Sequence, residues 1–150
     1  MNILTASKRL MIFSVALAIF SASVYSQARP NQAAGHIRSS PAYAEVVLRT
    51  AEVRAELESI AADYTEESPR MIDLRYELAA LVKATEKLTA VRPADSGKLT
   101  LALGKLLVRK ATLDTDLARL LRNYTPEHPD ARRARKKVEI FDAAIKDLLI

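Results

Sequence analysis

The sequence contains no cysteine and no tryptophan, and only three glycines and two histidines among its 150 residues. Without cysteine there is no disulfide framework, no thiolate nucleophile and no cysteine-ligated metal site. No GxxxxGK[ST] string or other Gly-rich phosphate-binding loop occurs. The histidines, His36 and His128, lie far apart in the chain and have no second ligand-type residue at a suitable spacing. The sequence therefore favours a non-enzymatic protein with no catalytic residues, no cofactor and no metal.

Aliphatic and charged residues make up most of the chain. Hydrophobic residues account for 49% of the sequence, aromatic residues for only 5%, and charged residues for 27%. A chain rich in Ala, Leu, Glu, Lys and Arg and poor in Gly is typical of long helices that pack through aliphatic side chains. The composition predicts an all-α fold.

The N-terminus has the pattern of a signal peptide. Lys8 and Arg9 precede an apolar run at residues 10–20, which is followed by small and polar residues. We expect residues 1–26 to be a cleaved signal peptide and the protein to be periplasmic or secreted. An uncleaved inner-membrane anchor is the alternative, although a bilayer span needs roughly 20 apolar residues.

A repeat is the most informative feature of the sequence. The string DYTEESPR at residues 63–70 returns as NYTPEHPD at residues 123–130, and an ungapped alignment of residues 41–90 with 101–150 contains eleven identical pairs. Such self-similarity defines the architecture of a chain. The turn-motif residues that we single out are Tyr64, Thr65, Pro69, Tyr124, Thr125, His128 and Pro129.

Each copy of the turn lies between two stretches whose apolar residues alternate spacings of three and four, which is the pattern of helices in heptad register. The seam positions are Val46, Thr50, Val53, Leu57, Ile60 and Tyr64; Met71, Leu74, Leu78, Leu81, Thr85 and Leu88; Leu99, Leu103, Leu106, Lys110, Leu113, Leu117, Leu120 and Tyr124; and Ala131, Ala134, Val138, Phe141, Ile145 and Leu148. Further apolar positions widen the stripe at Val47, Leu107, Leu121, Ile140, Ala144 and Leu149.

These patterns predict two tandem antiparallel helical hairpins, with four long helices in all. Residues 27–40 are expected to be a flexible N-terminus, 41–91 the first hairpin repeat, 92–97 a linker, and 98–150 the second repeat. A single hairpin leaves one side of its apolar seam uncovered, so the hairpins are expected to stack or to oligomerise. The pattern leaves open whether they form a four-helix bundle or an extended coiled coil.

The turn itself has a local structural explanation, which we favour over a role as a docking tip. The tyrosine is expected to end the seam, the threonine to satisfy backbone amides, and the proline to restart the helix. Ser68 and His128 occupy the matching position before that proline, and both are expected to serve as N-caps.

The turn also resembles a known family. The string YTPEHPDARRARKKVEIFDAAI, preceded by a leucine-rich helix, is similar to the periplasmic coiled-coil hairpin of polysaccharide chain-length determinant (Wzz-like co-polymerase) proteins. In that family a Tyr-Thr-x-x-His-Pro-Asp turn joins two long antiparallel helices, and it matches residues 124–130 here. The resemblance covers only the hairpins, because the chain lacks a second apolar segment, the α/β domain and a P-loop. It implies a detached, exported helical module linked to polysaccharide export.

The densest positive charge lies directly after the second turn, at Arg132, Arg133, Arg135, Lys136 and Lys137. Residues 27–96 carry nine basic and eleven acidic side chains, whereas residues 97–150 carry twelve and seven. This asymmetry favours pairing between repeats or between protomers. The run is either an ordinary solvated face or a patch for an anionic polysaccharide or membrane surface. It lacks aromatic residues and any DNA-reading motif, so we expect no nucleic-acid partner.

Two functions remain. The first is a non-enzymatic structural or assembly module of the cell envelope, which associates with itself or with another coiled-coil envelope protein. The second is a periplasmic holdase-like protein, which would hold unfolded clients against an exposed apolar stripe. A regular heptad seam prefers a defined helix partner over variable clients and favours the first.

Overall fold

The computed structural model describes residues 35–149, and their fold is all-α, as predicted. The four α-helices are α1 (Pro41–Ile60), α2 (Pro69–Thr89), α3 (Leu101–Asn123) and α4 (Pro129–Leu149), and a short 3-10 helix (Pro93–Lys98) connects α2 to α3. We call α1 with α2 hairpin 1, and α3 with α4 hairpin 2. The predicted signal peptide lies outside the described residues.

The first helix of each hairpin begins with the same local structure. The Ser40 hydroxyl accepts a hydrogen bond from the backbone N–H of Tyr43, and the Thr100 hydroxyl accepts one from Leu103, each at 3.3 Å. These hydroxyls satisfy amides that the first turn of a helix leaves without partners. Helix α1 thus begins at Pro41, directly after the capping Ser40.

Residues 35–40 of the N-terminal segment, which we expected to be flexible, lie within the described residues. Residues 35–38 form a helical turn, and Ile37 is buried as a member of the main core. The Ser40 hydroxyl stabilises this turn by donating a hydrogen bond of 2.7 Å to the Ile37 carbonyl. One buried isoleucine among polar residues carries no periodicity, so pattern reading did not find this element.

The hairpins stack with α3 at the centre of the molecule. Helix α3 packs against both helices of hairpin 1, whereas α4 packs chiefly against α3. At one end, the N–H of Ala42 donates to the carbonyl of Leu99 across 3.2 Å. At the other end, Asp73 near the start of α2 forms ion pairs with Arg119 and Arg122 near the end of α3. Helices α1 and α3 are therefore parallel, and α3 covers the apolar stripe of hairpin 1.

The core lies mainly between hairpin 1 and α3. Its fully buried large side chains are Val46, Val53, Leu81, Leu88, Leu99 and Leu103. Helix α4 contributes only Ala131 and Ile145 to the buried set. Burial of a large aliphatic side chain contributes roughly 1.5 to 3 kcal/mol, so α4 is held less firmly than the other three helices.

Three of the predicted seam residues, Tyr64, Tyr124 and Leu148, are exposed. Tyr64 is 50% exposed and Tyr124 is 47% exposed. Helix α1 ends at Ile60, four residues before Tyr64, and Tyr124 adopts an extended backbone (φ −135°, ψ 154°) that takes it off the helical stripe. The prediction that the tyrosines end the seams is wrong, and the seams end one turn earlier.

An ion pair is buried in hairpin 1. The Nε atom of Arg49 on α1 lies 2.8 Å from Oε1 of Glu77 on α2, and the Glu77 side chain is only 8% exposed. Burial opposes the positive charge, yet the hydrogen bonds to Glu77 and Glu52 raise the pKa of Arg49 above its ordinary value. The guanidinium therefore stays charged and neutralises the buried carboxylate.

Replacing Arg49 with alanine is expected to lower the free energy of unfolding by about 1 to 3 kcal/mol, because it leaves Glu77 buried without a partner. Urea denaturation at neutral pH measures the loss. The matched control is Arg109→Ala at the exposed repeat counterpart of Arg49. An equal loss in the control would contradict the explanation.

Candidate interaction surface

The two repeated turns lie at the same end of the molecule, because α1 and α3 run parallel. In both turns the threonine acts through its backbone: the carbonyl of Thr65 accepts from the N–H of Ser68 at 3.0 Å, and that of Thr125 from His128 at 3.1 Å. Pro69 and Pro129 are the first residues of α2 and α4, as predicted. The two turns therefore share one backbone design.

The second turn has a side-chain arrangement that the first lacks. The rings of Tyr124 and His128 stack, with their centroids 4.2 Å apart and their planes 24° apart. Nδ1 of His128 accepts a hydrogen bond of 3.2 Å from the backbone N–H of Asp130, so His128 caps α4 as predicted. Ser68 precedes α2 without a side-chain cap hydrogen bond, and its predicted capping role is wrong. His128 is thus accounted for as a helix cap that supports Tyr124.

Nothing in the described range 35–149 gathers His, Asp and Glu side chains into a group of three that could hold a metal ion. His128 lies 3.8 Å from Asp130 through Nδ1, the same atom that accepts the backbone hydrogen bond. The exposed His36 lies on the N-terminal helical turn.

The basic run occupies the first two turns of α4, and all five of its side chains are exposed. Arg133 pairs with Asp130, and Lys136 pairs with Glu139 at 3.2 Å. The hydrogen bond from Arg133 lowers the pKa of the Asp130 carboxyl below its ordinary value. Within residues 35–149, no carboxylate lies in ion-pair distance of Arg132, Arg135 or Lys137. This part of α4 presents three unneutralised cations.

The repeat explains why these cations lack partners. In hairpin 1, Arg75 pairs with Glu66 of the turn, but the counterpart of Glu66 in the second turn is Pro126. The counterpart of Glu77, which neutralises Arg49, is Lys137. The acidic residues of hairpin 1 are thus replaced in hairpin 2 by a neutral or a basic residue. The surface of hairpin 2 therefore carries more positive than negative charge.

Replacing Arg132, Arg133 and Lys136 with glutamine is expected to abolish salt-sensitive adsorption to vesicles of anionic lipid or to an acidic polysaccharide. Each Lys or Arg near an anionic membrane contributes about 1 kcal/mol, so three removals should weaken binding by roughly 100-fold. Co-sedimentation across a salt series measures it. The matched control replaces Lys83, Lys87 and Arg92, three exposed cations outside the run. Unchanged adsorption of the first variant would exclude a role for this patch.

Hairpin 2 has an open groove between its helices near the turn. The groove has a volume of about 350 Å³. Apolar and charged side chains of both signs line it: Leu113, Leu120, Ala134, Asp116, Arg119, Asp130, Arg133 and Lys137. We call it the hairpin-2 groove. It is large enough to receive protruding side chains of a partner helix.

Helix α1 carries apolar residues on both sides. Besides its core residues it has an outer face made of Ala44, Val47, Leu48, Ala51 and Ala55, all exposed. Val47 is 43% exposed and Leu48 is 58% exposed. Clustered exposed apolar side chains of this kind mark surfaces that a partner can cover. Val47 was among the apolar positions predicted from the sequence, whereas the rest of the face was not predicted, although the spacings of three and four from Ala44 to Ala55 indicate it.

In the described part of the chain, no helix is both long and apolar enough to cross a bilayer. Comparison with known proteins gives no match: no protein-family model, no characterised protein sequence and no solved structure is similar to this chain at a significant level.

Proposed function

We propose that the chain is a non-enzymatic, exported structural module of the cell envelope, which assembles with copies of itself or with another helical envelope protein. The observation that carries the proposal is the apolar outer face of α1. Large apolar side chains that cluster on a surface mark interaction sites in folded proteins. The N-terminal pattern supports export. A role without catalysis is supported by the lack of cysteine and of a Gly-rich loop in the sequence, and by the lack of a ligand cluster within residues 35–149.

The opposite charges of the two repeats support assembly. The chain from residue 27 to 96 carries a small net negative charge, and the chain from residue 97 to 150 a net positive charge. Surfaces of opposite sign accelerate association and suppress incorrect pairing. A contact that brings hairpin 1 of one molecule to hairpin 2 of another satisfies both the apolar and the electrostatic requirement.

Expression of the full chain, followed by cell fractionation, intact mass measurement and light scattering on the purified protein, tests the proposal. We expect a processed N-terminus, recovery from the envelope or periplasmic fraction, and a mass that increases with concentration. A chain that keeps residues 1–26 in the cytoplasm, or one that stays monomeric at every concentration and binds no envelope component, would contradict it.

The same outer face supports a second candidate, a holdase that retains unfolded clients. Exposed apolar side chains beside cationic ones suit the binding of unfolded anionic segments. Aggregation of an unfolded outer-membrane protein, followed by turbidity with the chain added at stoichiometric ratio, separates the candidates. Suppression that disappears in Val47→Asp would favour the holdase, and unaltered aggregation would exclude it.

A link to polysaccharide export rests only on the resemblance of the second turn to the chain-length determinant family. The stacked Tyr124 and His128 and the adjacent basic run give this turn a surface suited to an acidic glycan. Adsorption of the chain to acidic polysaccharide, lost in the triple glutamine variant, would support that link.

A further inference from the structure

The two hairpins differ in how much of their surface another helix covers. Because residues sixty positions apart are equivalent in the repeat, the exposure of each pair can be compared directly. Helix α3 meets hairpin 1 through a face that includes Gly104, Leu107, Ala111 and Thr115, all buried. Sixty residues earlier, α1 has Ala44, Val47, Ala51 and Ala55 at the matching positions, all exposed. Leu107 is 4% exposed, whereas Val47 is 43% exposed. The outer face of α1 is therefore the counterpart of the face through which α3 docks.

We call the side of hairpin 1 on which α3 packs, and the matching side of hairpin 2, the receiving side. Its residues also differ in exposure between the two hairpins. In hairpin 1, Ala42, Glu77 and Leu88 are buried. Their counterparts in hairpin 2, Ala102, Lys137 and Leu148, are exposed. Hairpin 1 has its receiving side covered by α3, whereas the equivalent side of hairpin 2 is exposed at these three positions, one of which, Lys137, lines the hairpin-2 groove.

We propose that the outer face of α1 of a second copy of this chain seats on the receiving side of hairpin 2, in the way that α3 seats on hairpin 1. This inference rests on the proposed function and names its partner and its contact surface. Each repeat of such an array covers the stripe of its neighbour, as in solenoid proteins. The contact is head-to-tail and leaves one face and one groove free at the two ends of every assembly, so assembly continues with concentration.

The proposed contact between two molecules brings side chains of opposite charge close together. Within one chain, Asp73 of hairpin 1 receives Arg119 and Arg122 of α3. The counterpart of Asp73 in hairpin 2 is Arg133, a cation that pairs with Asp130 of its own helix within one molecule. Helix α1 and its turn supply two exposed acids there, Glu58 and Asp63, each one position away from the counterparts of Arg119 and Arg122. The proposed contact therefore brings acidic side chains of α1 to the basic end of hairpin 2, with the charges exchanged relative to the internal contact.

The fit differs from the internal contact at one position. A Cβ on Gly104 would lie 2.8 Å from the Cα of Ala42. At the proposed contact Ala44 takes the place of Gly104 and meets Ala102, so the helices must lie slightly farther apart. A helix of 20 residues is about 30 Å long and seating it removes on the order of 1,000 Å² of surface, near the lower limit for a specific interface. We therefore expect a concentration-dependent assembly and not a permanent one.

Two double variants of the full chain test the proposal. Ala51→Arg with Ala55→Arg blocks the outer face, and Ala102→Arg with Leu148→Arg blocks the receiving side; all four positions are exposed in one molecule. The control, Ala90→Arg with Ala143→Arg, adds the same charge at exposed positions outside both surfaces. Circular dichroism establishes that each variant folds, and sedimentation velocity over a concentration series measures the mass.

We expect the wild type and the control to grow in mass with concentration, and each blocked variant to need at least a tenfold higher concentration for the same growth. An equimolar mixture of the two blocked variants should form pairs and stop there, because it contains one intact face and one intact groove. Growth of either blocked variant like the wild type would overturn the inference while leaving the proposed function in place. Loss in the face variant alone would indicate a face-to-face contact and would also overturn it. A wild type that stays monomeric would overturn the inference, and it would contradict the proposed function only if it also bound no envelope component.

Discussion

Replacing Gly104 with valine is expected to lower the free energy of unfolding by about 1 to 3 kcal/mol, although valine is the better helix former by roughly half a kcal/mol. Even the first side-chain atom would lie 2.8 Å from the Cα and 2.9 Å from the carbonyl oxygen of Ala42. Both atoms belong to the backbone, so no rotamer change relieves the clash and α3 must move away from α1. Urea unfolding monitored by circular dichroism measures the loss.

The matched control is Ala44→Val, which places the same side chain at the equivalent position of the first repeat. Ala44 is exposed, so a valine there has room in the single molecule. We expect a change within about 0.5 kcal/mol at concentrations where the chain is monomeric. A Gly104→Val protein as stable as the control would mean that the close approach of α1 and α3 is absent in solution.

Truncation of Leu81 to alanine is expected to cost about 3 kcal/mol, because Leu81 is fully buried between hairpin 1 and α3. Its counterpart, Phe141, has a larger side chain but is only half-buried on the outlying helix α4. We expect Phe141→Ala to cost about 1 kcal/mol, since much of that ring is already in contact with water. Thermal and urea unfolding of both variants test this order.

The order itself is informative. Volume alone would make the phenylalanine truncation the more damaging of the two. A Phe141→Ala loss equal to or greater than the Leu81→Ala loss, measured on the monomer, would show that α4 is covered as completely as α2, and would remove the basis of the asymmetry between the hairpins.

Element type and helix starts were predictable from the sequence because their causes are local. Ser40 before Pro41 and the proline of each turn set the starts of helices within one residue, and the heptad spacing identified Val46, Val53, Leu81 and Leu103 as inward-facing. These signals depend on neighbours in the chain and need no knowledge of the tertiary structure.

Positions whose environment is set by another segment were not predictable. Tyr64 and Tyr124 fit the seam spacing, but the helices end before them. Ile37 is buried by contacts with the core that no pattern in residues 27–40 indicates. Val47 and Leu107 are equivalent positions of the repeat. Leu107 is buried and Val47 is exposed because hairpin 2 stacks on hairpin 1 through α3, which the sequence pattern does not indicate.

The position of α4 at the edge of the stack has a consequence for motion. Helix α4 packs chiefly against α3, and Ala131 and Ile145 are the only residues of α4 that are buried. Local opening requires only the contacts of the opening segment to break, and its free energy is correspondingly smaller than that of global unfolding. The amide hydrogens of α4 should therefore exchange with solvent through a partial opening that leaves α1, α2 and α3 folded, and any partner seated on hairpin 2 would slow that exchange.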